Sequence, residues 1–396
     1  MNKPRLLIIL NRLAVGGPAF NVISGAALLG KEFDILLIAG APDADEEPVD
    51  YLLDQYEGFE FQKINSLKRS VIPGTDWRAY KEIKKTIRKF QPQIVHTHGA
   101  KPGVLGRLAA HRSKVPVIVH TFHGHVFHSY FSGFVSNIIV RIEQWLAGFS
   151  SAIIAISSKL KEELANKYHI TSSNKIQLIR LGIDTARFHD EHGTKRSHFR
   201  DQFTLPSDVI AVGIVGRLVP VKNHRLFIET AAQVLRSSKH KLRFFIIGDG
   251  TERTALQELI LSKQLSFTTT SMDHSDSNFV FTSWRKDMDA VYAGLDIVML
   301  TSLNEGTPVS IMEAMAAVKP VLSTDVGGID ELIANKQTGL LASNQTELVA
   351  GLTTLIENAS LRQSLGAAAE KDSGRFSKSE EIQALSSLYH SLLRSA

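Results

Sequence analysis

The chain has 396 residues, 43% hydrophobic and 21% charged, with a net charge of +5; this exceeds one ordinary domain and points to two of roughly 200 residues, each able to bury a core. There is no cysteine, which excludes disulfides and thiolate metal sites and fits a reducing, cytoplasmic setting. The opening "MNKPRLLIILNR" carries an apolar run too short for a signal-peptide core, and the most apolar long stretch, 134–149, is broken by Arg141, Glu143 and Gln144. The first reads as a strand and the second as a buried helix, not a membrane span.

In chain order, short apolar runs alternate with helical patterns. The first half gives strands at 6–10, 34–40, 61–64, 93–98, 115–121, 151–156 and 176–179, with helices over 18–29, 76–89 and 101–111. Residues 183–207 are polar and helix-poor and read as a linker. The pattern restarts with strands at 209–216, 242–250, 278–281, 295–300, 319–325 and 338–342. Val-, Ile- and Leu-rich runs separated by helices are the mark of parallel sheets with crossover helices. The expected fold is α/β, two doubly wound parallel-sheet Rossmann-like domains facing a central cleft, over 1–182 and 208–375. A last amphipathic helix within 376–396 has no strand after it and is free to dock on either domain.

Charge is uneven. Residues 61–101 hold ten Lys or Arg against Asp76 and Glu82. Two readings stay open: a solvated helix face, or peripheral contact with an anionic membrane surface or acceptor. Nucleic acid is not expected, because interleaved aromatics and a recognised binding motif are both missing.

Ligands of such sheets bind beyond the carboxyl ends of the strands, so the loops there are the places to look. "NRLAVGGPAF" supplies Gly16 and Gly17, whose backbone N–H groups allow close approach of a phosphate before a helix. "GRLVPVKNH" supplies Arg217 and Lys222, two cations suited to a diphosphate, and "GDGTER" brings Gly248. In "SLNEGTPVSIMEAM", Thr307 is a favourable N-cap and Pro308 suits the first helical position, so a helix is predicted from 308 to 317 with an anion site at its start. Glu305 precedes that cap and Glu313 follows about one and a half turns in; two such acceptors suit a hydroxyl-rich ligand.

"HTH" and "HTFHGH" bring His96, His98, His123 and His125 by alternation onto shared faces. They read either as a metal cluster or, more commonly, as polar contacts in a core, with His123 the best placed for substrate. Asp43–Asp45 and Asp287–Asp289 imitate a metal-binding pair, but neither follows a strand suitably, so no essential metal is expected. No G-x-S-x-G elbow occurs, which leaves no hydrolase-type nucleophile.

Together, "GRLVPVKN", "GDGTER", "NEGTPVSIMEAMA" and "KPVLSTDVGGIDELI" resemble family 4 of the glycosyltransferases, which have the GT-B fold. The resemblance implies a retaining transferase in which Glu313 holds the ribose of a nucleotide-sugar, a UDP-sugar above all. Glu305, with backbone groups at Gly306, Thr307 and Pro308, holds the donor sugar; Arg217 and Lys222 hold the diphosphate, Gly16 and Gly17 face the phosphates, and His123 stands near the reacting carbon. Ser283 stands where relatives usually place glycine, ahead of Trp284 and Arg285 as neighbours of the base. The resemblance also implies that the last helix crosses back onto the N-terminal domain, and that the departing phosphate helps deprotonate the acceptor hydroxyl. The N-terminal half looks like bacterial transferases that build surface polysaccharides on lipid carriers, so the acceptor is a glycan or a lipid-linked one. "VFHSYFSGF", 126–134, is either a core-packed loop or a lipid-facing one. A nucleotide-sugar epimerase and a non-catalytic nucleotide-sugar-binding protein are the alternatives, disfavoured by the E-x7-E element and by the set of Arg217, Lys222, Glu305 and His123.

Overall fold

A computed structural model describes residues 3–43, 46–124, 133–269 and 277–396. The chain divides into two compact units, one made of Met1–Gly182 with Lys378–Ala396, the other of Ile183–Ser377.

The first unit is built on strands β1 (Arg5–Arg12), β2 (Asp34–Gly40), β3 (Glu60–Lys63), β4 (Ile94–His98), β5 (Val117–Phe122), β6 (Ala152–Ala155) and β7 (Ile176–Leu178), in the order β3-β2-β1-β4-β5-β6-β7 with every pairing parallel. Its helices are α1 (Gly17–Leu29), α2 (Tyr51–Gln55), α3 (Pro73–Phe90), α4 (Ala100–Arg112), α5 (Gly133–Gly148) and α6 (Ser158–Glu162). Strands such as "DILLIAG" are buried along almost their whole length because helices cover both faces of a parallel sheet. One core lies between the sheet and α1, with Leu6, Ile8, Val22, Ile23 and Leu37; the other lies under α3 and α4, with Leu7, Ile9, Ile83, Ile87 and Val95. Helix α5 departs from the sequence reading of a buried helix: Glu143, Leu146 and Ala147 turn inward, while Val135, Ile138, Ile142 and Trp145 face solvent.

The second unit opens with α7 (Thr194–Gln202), followed by β8 (Val209–Val215), α8 (His224–Ser237), β9 (Lys241–Ile247), α9 (Arg253–Ser262), β10 (Phe267–Thr268), β11 (Phe279–Ser283), α10 (Met288–Gly294), β12 (Ile297–Leu300), α11 (Val309–Ala316), β13 (Val321–Thr324), β14 (Leu340–Ala342), α12 (Gln345–Glu357) and α13 (Ala359–Ser373). The sheet order is β10-β11-β9-β8-β12-β13-β14, again all parallel. Helix α7 corrects the reading of 183–207 as helix-poor. Its sequence, "TKRSHFRDQ", is strongly polar, and tertiary contacts hold it: Phe199 is fully buried, Arg196 and Arg200 pair with Asp296, and Arg196 also donates to the carbonyls of Ala293 and Gly294 at the end of α10. Cations satisfying the last carbonyls of a helix are a stable arrangement that propensity alone does not reveal.

The last helix, α14 (Lys378–Ser395), belongs to the first unit. Tyr389 is fully buried edge-on to Phe33, and the buried Lys378–Glu381 pair is tied to α1, Lys378 donating to the Asn21 carbonyl and Glu381 accepting from the Asn21 side chain.

In each sheet the strand order reverses beside the first strand, between β1 and β4 and between β8 and β12. Such switch points open a crevice at the carboxyl ends of the strands, and the loops there are where ligands bind in this class of fold.

Candidate active site

At the switch point of the second sheet, the loop after β12 clasps the loop after β8. Leu303 N–H donates to the Val221 carbonyl at 2.8 Å, and the Thr301 hydroxyl donates to the Asn223 carbonyl at 2.9 Å. This brings Lys222 and Glu305, 83 positions apart, into an ion pair of 2.5 Å. The Ser302 hydroxyl donates to the same carboxylate oxygen at 2.6 Å. Behind Glu305, Gly328 N–H donates to its carbonyl, and Gly327 adopts φ +62°, where a Cβ would lie 1.8 Å from that oxygen. Only glycine fits there, so the "DVGG" turn is a template for the Glu305 backbone. Arg217 lies in the same loop after β8, half-buried. The helix following Glu305 starts one residue later than the sequence implies: Pro308 occupies the N-cap position with an extended backbone, and Thr307 supplies no side-chain cap.

Glu313 lies on α11, and its carboxylate accepts from the Tyr292 hydroxyl of α10 at 2.9 Å. Glu313 is half-buried as a whole, its carboxyl is densely surrounded, and that desolvation raises its pKa to about 7 against the pull of the Tyr292 bond.

The loops after β9 and β11 form the neighbouring wall. Gly248, at φ +133°, approaches the Gly216 carbonyl so closely that a Cβ would lie 2.1 Å away. Ser283 has φ +56°, a left-handed conformation that explains why glycine suits this position, and its hydroxyl donates to Asp249 at 2.7 Å. Trp284 is half-buried. Arg285 is committed within the unit: it pairs with Asp287, donates to Gln202 and lies over the Phe203 ring.

In the first unit, Gly16 is the N-cap of α1 and Pro18 follows within its first turn; a Cβ on Gly16 would meet nothing nearer than Pro18 at 4.0 Å, so the backbone there is open to approach. Gly17 is the first helical residue. His96 and His98 lie one above the other with ring centroids 4.1 Å apart. His98 Nδ1 and His123 Nε2 are 2.9 Å apart, one carrying the shared proton. His96 is held by the hydroxyls of Tyr389 at 2.6 Å and Thr121 at 2.7 Å, and His120 by Thr97 at 2.8 Å. Burial keeps all four imidazoles neutral, with His123 lowered to about 4 and His96 to about 3. A cavity of about 30 Å³, room for one or two waters, is lined by His96, His98, His123, Asn21 and Tyr389 among others. His123 Nδ1 has no hydrogen-bond partner among the described residues.

Residues 195–372 match the family described as glycosyl transferases group 1, and residues 21–187 match glycosyltransferase family 4. The chain belongs to the glycosyltransferases. It is 27% identical over 317 residues to UDP-Gal:alpha-D-GlcNAc-diphosphoundecaprenol alpha-1,3-galactosyltransferase of Escherichia coli, a match covering 79% of this chain and 77% of that protein. The O-antigen biosynthesis glycosyltransferase WclY of Escherichia coli is 25% identical over 312 residues, 77% of this chain and 79% of the relative. Among solved structures, HepE of Anabaena in complex with UDP and glucose matches with a TM-score of 0.80 at 21% identity, covering 98% of this chain and 100% of that one. That likeness concerns the fold, which is GT-B.

In this glycosyltransferase the structure thus brings Lys222 to Glu305 and His98 to His123, while Glu313 meets Tyr292. Ser302, Tyr292 and Gly327 escaped the sequence reading of the site, which had His98 in the histidine cluster but not its pairing with His123. The Gly-Gly after an extended run was the one available hint for Gly327; a lone Ser or Tyr carries none. Among the described residues, no group of three or more His, Asp or Glu is arranged to hold a metal ion. Asp287 is paired with Arg285, and Asp289 with Lys195 and Arg187. Asp45, His125 and most of 126–134 lie outside the described residues. No described helix is long and apolar enough to cross a membrane.

Proposed function

We propose that this glycosyltransferase moves a sugar from a UDP-sugar to a glycan or lipid-linked acceptor in bacterial surface-polysaccharide synthesis, with retention of configuration and without an essential metal. The observation that carries this is the Lys222–Glu305–Ser302 cluster at the end of β12, with Glu313 on the helix that follows. The relatives in Escherichia coli and the UDP-holding fold of HepE favour the same reading.

Before donor arrives, Lys222 is neutralised by Glu305. When the diphosphate enters, Lys222 turns to it together with Arg217, and the Glu305 carboxylate is released to accept from hydroxyls of the donor sugar. Gly306, Thr307 and Pro308 line that sugar, and Gly248, Trp284 and Arg285 flank the base. Glu313 accepts from the ribose. On the family resemblance the first unit supplies Gly16 and Gly17, whose backbone N–H groups suit phosphates, and the neutral His123, whose Nδ1 has no hydrogen-bond partner among the described residues. The acceptor oxygen then bonds to the anomeric carbon as the bond to the diphosphate breaks. The electron pair leaves with UDP, and the acceptor's proton passes to the departing phosphate oxygen on the same face. The chain's share is positioning and charge stabilisation.

The test is a panel of UDP-, GDP- and ADP-sugars run both with a divalent metal and with EDTA, read by thermal shift and by nucleotide release in the presence of a bacterial lipid extract. A UDP-sugar should stabilise the protein and be consumed, and Glu313→Ala should lose both. Absence of any nucleotide-sugar effect would overturn the donor reading, an inverted product the retention, and loss of turnover in EDTA the metal independence.

A further inference from the structure

The outward face of α5 breaks the pattern of a surface helix. Val135, Ile138, Ile142 and Trp145 recur at intervals of three, four and three, which lines them along one side, and they are 38%, 43%, 39% and 57% exposed. A continuous apolar stripe in water marks a surface that something else covers. Its neighbours indicate what. Helix α4 packs against both α3 and α5, through Arg112 to the Tyr80 hydroxyl and through the Arg107–Glu143 pair, with His111 stacked on Phe149 just past the end of α5, so all three helices cover the same side of the sheet. The outward side of α3 carries Arg78, Lys81, Lys85, Arg88 and Lys89 with Glu82 as the one acid among them, and at its start Trp77 is 54% exposed.

Apolar residues and tryptophans beside a dense cationic stripe match a headgroup layer: the cations meet lipid phosphates while the apolar side chains enter the acyl boundary. A second copy of the chain is a poorer occupant, because bringing this face against itself would oppose the two cationic stripes. We propose that the α3–α5 face of the first unit docks on an anionic phospholipid surface, with the α5 stripe as the inserting element. This defines how the first unit would meet a lipid-linked acceptor, yet it is tested without donor or acceptor, so its failure would leave the transfer reading intact.

The experiment is flotation of the full chain with vesicles of phosphatidylglycerol and phosphatidylcholine in equal parts, beside vesicles of phosphatidylcholine alone. Native protein should float with the anionic vesicles only, and binding should weaken as salt screens the cations. The triple change Lys81→Gln, Lys85→Gln, Lys89→Gln should reduce partitioning on the order of a hundredfold, at about fivefold per cation. The triple change Ile138→Ser, Ile142→Ser, Trp145→Ser should abolish flotation while leaving the melting temperature and far-UV spectrum intact. Equal flotation with both vesicles, no flotation of the native chain, or unaltered flotation of the α5 variant would each overturn the proposal. So would a native dimer that the α5 variant dissolves, since the stripe would then serve a second copy.

Discussion

Lys222 and Glu305 neutralise each other at the spot where the proposed chemistry needs a cation and an acceptor. Removing Lys222 leaves Glu305 half-buried without its counter-ion, so Lys222→Ala is expected to lower kcat by roughly 10²-fold or more, the usual cost of deleting one preorganised charge. Steady-state turnover of the UDP-sugar, beside a melting curve showing the variant folded, checks this. His98 fixes the orientation of the His123 ring through their shared proton. His98→Ala should therefore lower kcat about tenfold with little change in donor KM, as a misaligned group does; an unchanged kcat would mean the bond has no bearing on turnover. Glu313 gives a pH signature. In the native chain it holds its proton up to about 7, whereas an unfolded chain releases it near 4.5. Between those values the native state binds the extra proton, so stability from this group is full below 4.5 and is lost as pH rises through about 7. Glu313→Gln, which does not titrate, should flatten that part of the plot of melting temperature against pH.

At the scale of elements, the site depends on turns whose backbones tolerate little else. Ser283 stays in the left-handed region at φ +56° with its hydroxyl on Asp249, which offsets part of the strain. Ser283→Gly should be close to neutral, because it loses the bond and the strain together. Ser283→Ala keeps the strain and loses the bond, and is expected to cost about 1 kcal/mol, read by urea unfolding. Gly327→Ala is harsher: the Cβ would meet the Glu305 carbonyl at 1.8 Å, so the turn must shift and take Glu305 with it. Donor binding should fall with it, measurable by titration calorimetry. Helix α7 belongs here as well, since its arginines join α10 and Asp296 and so anchor the segment that opens the second unit.

Across the whole molecule, the two units differ in how protons act on them. The first buries His96, His98 and His120 and half-buries the densely surrounded His123, all as neutral rings, while the unfolded chain protonates each near 6.5. A histidine whose native pKa is depressed contributes stability above 6.5 that is lost as pH falls toward the native value. Among its described residues the second unit has one such ring, His224, lowered to about 3, and the opposing Glu313. Acidification from 6.5 to 4.5 should therefore loosen the first unit before the second. Hydrogen exchange across that range would register it as earlier loss of protection in β4 and β5 than in β8 and β12.

The sequence by itself determined most of the succession of strands and helices, though not α7 or the short β10, together with the placement of the glycine and cation loops after strand ends and the E-x7-E spacing, because hydrophobic period, turn chemistry and motif spacing are all written within a few residues of one another. It also singled out His123, though not what holds it. Only the tertiary structure decided that Lys222 reaches Glu305, that His98 meets His123, that Tyr292 meets Glu313, that polar α7 is a helix, and that α5 turns an apolar stripe outward. Each of these is a contact or exposure between residues distant in the chain, set by strand order and helix packing, and no local pattern of residue types encodes which distant partner the fold will supply.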